Sequence, residues 1–264
     1  MRRVILMFGF LAAGLMISAH PADAIKKVPY PPIEVRPLPV FKGDPALDAA
    51  RKKFAEAVAA KNIDAIVPLV APNFEWTAGG ARVDEFDAKR DAAHNLRVAF
   101  GFRAPGRDAD GQTDIGPQWE LLEHFTRDQV LTQEPGSPFV CGSTTAKPAD
   151  LAALEEALNR VDEQDELSEW VYFTGELTLT ASPTGGNPVA KMANSAMPIV
   201  SVHPARPEGA KSAESPVTTH FELLLPNGRT GWVSVDKVRP LFVDRLCFSK
   251  TGNDWKITLY DQAE

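Results

Sequence analysis

The sequence predicts an α+β protein, with a helix-rich N-terminal α+β domain over residues 44–166 and a small β-barrel with a terminal β-hairpin over 167–264. Three observations predict it. Apolar residues recur at helical spacing through the first half. From Ser168 the texture changes to short runs rich in β-branched and aromatic residues. Turn signals separate those runs, at Pro183–Gly186, Pro226-Asn227-Gly228 and Thr251–Asp254.

The first 24 residues are read as a leader. Met1-Arg2-Arg3 is basic, Val4 to Ile17 is a run of 14 uncharged residues, and Ala22-Asp23-Ala24 offers small residues to a signal peptidase. That is the layout of a secretory signal peptide cleaved after Ala24, so the mature chain is expected to be periplasmic or secreted. The alternative is an uncleaved anchor, but a spanning helix needs about 20 apolar residues. No cysteine lies near the cleavage point, so no lipid anchor is expected, and no later segment predicts an integral membrane span.

Residues 25–43 hold Pro29, Pro31, Pro32, Pro37 and Pro39 and are expected to form a proline-rich, extended tether. A helix is expected next, with Asp44 as N-cap, Pro45 at the first helical position and Leu47, Ala50, Phe54, Ala57 and Val58 on one face. Asn62 ends it and starts a short second helix over Ile63, Ile66 and Val67, which Pro68 limits and Pro72 stops. Phe74-Glu75-Trp76 reads as a strand closed by Gly79-Gly80. Further helices are expected over Asp84–Phe100 and from Pro117, on either side of a Gly/Asp/Pro loop over 101–116. This helix, helix, strand opening resembles that of the nuclear-transport-factor-2-like domains. The resemblance implies a cone that Phe74, Trp76, Phe100 and Trp119 would line.

Within that loop, Asp108–Asp114 invites comparison with a calcium loop. An EF-hand places Gly sixth and Glu twelfth, whereas Gly111 stands fourth from Asp108, so a solvated turn is expected and no metal. Residues 148–169 predict an acidic helix, whose stripe of Leu151, Leu154, Leu158 and Val161 faces a core. The acid run after Val161 is the expected domain boundary.

Strands are expected at 170–173, 176–180, 199–203, 219–225, 229–235, 245–250 and 255–260, with a polar insertion at 203–216. The stretches Gly175–Leu179 with Ser182-Pro183, Val189–Met192, and Phe221–Leu225 followed by Pro226-Asn227-Gly228-Arg229-Thr230-Gly231-Trp232-Val233 resemble a bacterial Src homology 3 (SH3) domain. A short last strand around Val235–Val238 continues the pattern. The resemblance implies a close approach at Gly231 and packing of the barrel by Trp232. It also implies attachment to cell-wall peptide or envelope protein; the expected contacts are exposed aromatics and the turn, Asn227, Arg229, Trp232, Trp170 and Tyr172, because aromatic faces and Arg supply most recognition energy. Arg245–Lys250 and Asp254–Thr258 resemble the hairpin that follows this module in exported bacterial proteins.

Composition narrows the function. The net charge of −7 argues against nucleic acid as a partner. The two cysteines, Cys141 and Cys247, are expected to form a disulfide in an oxidising compartment, clasping the two domains together. The alternative is a catalytic thiolate at Cys141 with a histidine partner. No zinc-ligand spacing joins His94, His124, His203 or His220, and no nucleophile elbow, phosphate loop or dinucleotide glycine pattern occurs. The expectation is a non-enzymatic exported binding or scaffold protein with no cofactor and no metal. The alternative is a small-ligand carrier or enzyme using the N-terminal cone.

Overall fold

Prolines do not keep the N-terminal segment out of a sheet. Strand β1 covers Ile33–Pro37, with Ile33 and Val35 buried and Glu34 and Arg36 facing out. Pro31, Pro32 and Pro39 lie outside it, and Pro37 is its last residue, paired with Ala146 at the end of the ladder, where a missing N–H costs least. Upstream, Tyr30 is buried; its N–H bonds to the Pro226 carbonyl and its hydroxyl donates to the Leu224 carbonyl at 2.7 Å. The expected tether is therefore corrected to a structural strap, because its alternating apolar side chains find a core to enter. The computed structural model describes residues 26–78, 81–102, 116–127, 130–161, 170–205 and 216–263. The leader, Gly79-Gly80, the Asp108–Asp114 loop, the acid run after Val161 and most of the 203–216 insertion lie outside the described residues.

Helix α1, Pro45–Ala59, begins where Asp44 accepts from the Ala46 N–H, and α2, Ile63–Ile66, begins where Asn62 accepts from Ala65. A single 3-10 turn at Val67–Leu69 leads into β2, Val70–Ala78, followed by β3, Ala81–Arg82. Helix α3 covers Ala92–Ala99 rather than starting at Asp84. Asp91 caps it by accepting from the His94 N–H. The Asn95 amide holds both the N–H and the C=O of Asp87, which fixes the preceding residues as turns. Helix α4 is Trp119–Arg127 and β4 is Val140–Cys141.

After β5, Ala146–Pro148, helix α5 runs over Leu151–Val161. Then come β6 (Trp170–Ser182), β7 (Gly185–Ala205), β8 (Val217–Leu224), β9 (Thr230–Ser234), a 3-10 turn at Val235–Lys237 and β10 (Arg239–Pro240). The chain ends with β11, Arg245–Thr251, and β12, Asp254–Gln262.

Two sheets result. The smaller has the order β3-β2-β12-β11-β4, with β2 and β12 parallel and the other neighbours antiparallel. The larger has the order β10-β6-β9-β8-β7-β1-β5, and β7 also pairs with β6. Strands β6, β7, β8 and β9 thus close a ring. Inside it lie Val171, Phe173, Leu179, Met197, Leu223 and Val233. A second cluster contains Tyr30, Ile33, Val35, Leu154, Trp170 and Tyr172.

The cores do not follow the expected division at 166/167. Helix α5 belongs to the larger sheet, its Leu154, Ala157 and Val161 packing with β1 and β6 residues. The terminal hairpin β11–β12 belongs to the first unit, where Leu246, Phe248, Ile257 and Tyr260 pack with Phe54, Phe100 and Leu122. The second unit is therefore inserted between β4 and β11, with the strap added from the N-terminus. Cys141 and Cys247 face each other in register on those two strands and are joined, with Cα atoms 4.1 Å apart. The bridge lies within the first unit, at the neck of the insertion. It is not a clasp between two consecutive domains.

One hydrogen-bonded node ties the start of α1 to the terminal hairpin. Asp44 accepts from Trp255 Nε1 at 2.9 Å, from the Ala46 N–H, and from Lys250 Nζ at 3.1 Å. These contacts, the Trp255 bond foremost, lower its pKa from 3.8 to about 2. A depressed carboxylate stabilises the fold above its unfolded pKa, and that contribution fades as pH falls toward about 2. Denaturant titrations at pH 5 and pH 2.5 should show a smaller loss for Asp44→Asn than for the parent. Equal losses would remove Asp44 from this role.

Candidate functional site

Along β9, Val233 enters the ring, so its neighbour Trp232 stands on the outer face, half-buried. Trp232 is cross-strand partner to Glu222 on β8 and to Thr180 on β6. Glu222 accepts from the Thr230 hydroxyl at 2.7 Å, and Lys27 Nζ of the strap lies 3.9 Å from it. The His203 ring meets Trp232 edge-on at 6.1 Å, and His220 lies 6.3 Å from His203. At the end of this face the β8–β9 turn exposes Asn227 and Arg229. The Asn227 side chain accepts from the Arg229 N–H at 3.0 Å, and Gly228 takes φ +80°, which favours glycine. Asn227 and Arg229 are thus exposed in the turn that leads into β9, with half-buried Trp232 three residues beyond Arg229, and Val233 rather than Trp232 fills the ring.

Trp170 and Tyr172 are not there. They are 1% and 2% exposed, which corrects their expected role as ligand contacts. The run Trp170-Val171-Tyr172-Phe173 is buried on both faces, alternate residues entering the two clusters. Trp170 packs edge-on against Tyr30 at 5.8 Å, and the Tyr172 hydroxyl bonds to Thr145 Oγ1 at 2.7 Å. A continuous apolar run was the signal that could have assigned them to the core.

The first unit offers aromatic packing. Phe74, Trp76 and Phe100 are buried in its core, and Trp119 packs beside it, edge-on to Phe102. Phe100 and Trp76 lie 4.7 Å and 6.4 Å from Tyr260. Burial pushes the Tyr30 and Tyr260 phenols far above their ordinary range, so both serve as neutral donors, Tyr260 to Asp244 at 2.9 Å.

A cleft of about 460 Å³ separates α5 from the end of β12, lined by Leu151, Leu154, Leu158, Phe242, Lys147 and Arg245 among others. Its cations are already paired, Arg245 with Asp261 and Lys147 with Glu134. Asp261 also accepts from the Thr77 hydroxyl at 2.6 Å. The cleft thus presents an apolar wall with paired cations and the Glu155 carboxylate. The bridged state also removes Cys141 as a thiolate. Among the described residues no three His, Cys, Asp or Glu side chains gather as a metal-binding group, and no helix is long and apolar enough to cross a membrane. No family model, curated protein or solved structure matches the chain.

Proposed function

We propose that the chain is a non-enzymatic exported protein of the bacterial cell envelope that uses an SH3-like module, β6 to β10, to attach to cell-wall peptide or envelope protein. Support for the module comes from strand order. The ring β6-β7-β8-β9 is followed by a 3-10 turn that returns β10 to β6. The turn Pro226–Arg229 joins β8 to β9, and Thr230-Gly231-Trp232-Val233 of the stretch that carries the resemblance lie on β9. The disulfide accords with an oxidising compartment.

The observation that carries the reading is the exposure of Asn227 and Arg229 in the turn that opens β9, the strand that also carries half-buried Trp232 on its outer face. An indole supplies apolar contact area, and a guanidinium supplies a fork for a peptide carboxylate or carbonyl. Such residues dominate recognition energy. Co-sedimentation of the mature protein with purified cell-wall sacculi tests it. Binding is expected in the parent and should weaken about tenfold or more in Arg229→Ala and in Trp232→Ala. Parent-like binding in both variants would move the attachment site elsewhere.

A further inference from the structure

Two imidazoles that no sequence motif links meet on the outer face of the second unit. His203 on β7 and His220 on β8 are cross-strand partners in register, both half-buried and open to solvent. Their ring centroids are 6.3 Å apart. The hydrogen bonds around Thr219 decide which nitrogen is available. The Thr219 hydroxyl donates to the His203 carbonyl at 3.2 Å, and the same oxygen lies 3.1 Å from His220 Nδ1. A hydroxyl has one proton, so with that proton on the carbonyl it accepts from Nδ1–H. The proton on Nδ1 leaves the Nε2 lone pair of His220 free. An imidazole whose second nitrogen is held in this way is oriented for metal ligation.

We propose that His203 and His220 form a two-imidazole site for a divalent transition cation of the zinc or copper(II) class, with water completing the coordination. Imidazole suits both ions. At metal–nitrogen distances of about 2.0–2.1 Å, two imidazoles on one ion hold their centroids about 5–6 Å apart. The present separation of 6.3 Å, with the ring planes 61° apart, lies just outside that range. The site is independent of the attachment reading, since it requires neither cell wall nor partner protein.

The test uses tag-free mature protein and the metal alone. Calorimetric titration with zinc should show one saturable equivalent. His203→Gln and His220→Gln should each weaken it more than tenfold, whereas His124→Gln should not. Thr219→Val keeps both ligands but removes the hydroxyl that orients His220, and should weaken binding by about 10- to 100-fold. Copper(II) bound there should quench Trp232, whose ring lies 6.1 Å from His203, and Trp232→Phe should lose that part of the quenching. Parent-like affinity in the double variant His203→Gln/His220→Gln, or no saturable binding in the parent, would overturn the site. Metal-free melts establish that the variants are folded before titration.

Discussion

Replacing Cys141 and Cys247 together by alanine is expected to lower stability by up to about 5 kcal/mol, the chain-entropy value for a closed loop of this size. The bridged residues are 106 apart in sequence, and all of the second unit except its N-terminal strap, β5 to β10, lies between them. Once the bridge is gone, the unfolded chain regains the freedom of that long excursion. Native-state packing adds to the effect. Strand β4 has only two residues, held between β11 on one side and the reciprocal hydrogen bonds of Cys141 with Thr132 on the other, so the covalent link reinforces a short frame. Cys247 is fully buried, and truncation to alanine also removes a packed sulfur. Denaturant unfolding of the parent, the reduced parent and the double variant measures the change. Coincident curves for oxidised and reduced protein would contradict the neck assignment. Alkylation of two thiols in the native, unreduced protein would contradict the bridge itself.

Gly231→Val is the second change with a large expected effect. A Cβ built at Gly231 lies 2.7 Å from Val189 Cγ2 and 2.8 Å from Leu179 Cβ. Leu179 Cβ sits next to the backbone of β6, so it cannot swing aside as the tip of a long side chain can. Gly231 therefore lets β9 cross close over β6 and β7 where the ring shuts, and its φ is not in the left-handed region. Valine adds two further methyl groups to an already impossible contact. A cost at or above the upper end of the usual 1–3 kcal/mol for overpacking is expected, read as a lowered melting temperature or failure to fold. A melt matching the parent would mean that β9 does not close against β6 and β7 at this residue.

Local chemistry was legible in the sequence. Asp44-Pro45 marked the start of α1, Asn62 the start of α2, and Pro226-Asn227-Gly228 the β8–β9 turn, because capping and turn formation depend on neighbouring residues alone. Pairing partners were not legible. Nothing in Val70–Ala78 indicates that it lies parallel to Asp254–Gln262, at the far end of the chain. The alternation Ile33-Glu34-Val35-Arg36 was a strand signal, but five nearby prolines outweighed it. The terminal hairpin was recognised as a hairpin yet assigned to the wrong core, since its apolar face fits either unit by composition. At the candidate site, the turn signal marks Asn227 and Arg229 as exposed, and Trp232 is half-buried on the adjoining strand. The meeting of His203 with His220 was missed because pairing shifts register between Ile199/Ser201 and between His203/Pro204, which no residue count anticipates.

The central claim is that attachment uses the outer face of the second unit rather than the interior of the first. Hydrogen exchange of the mature protein with and without solubilised cell-wall fragments tests this residue by residue. The account predicts added protection in β8, β9 and their connecting turn, residues 217–234, with α1 to α4 unchanged. Protection confined to α1–α4 and β2, around Phe74, Trp76, Phe100 and Trp119, would contradict it and favour a carrier with its site in the N-terminal unit.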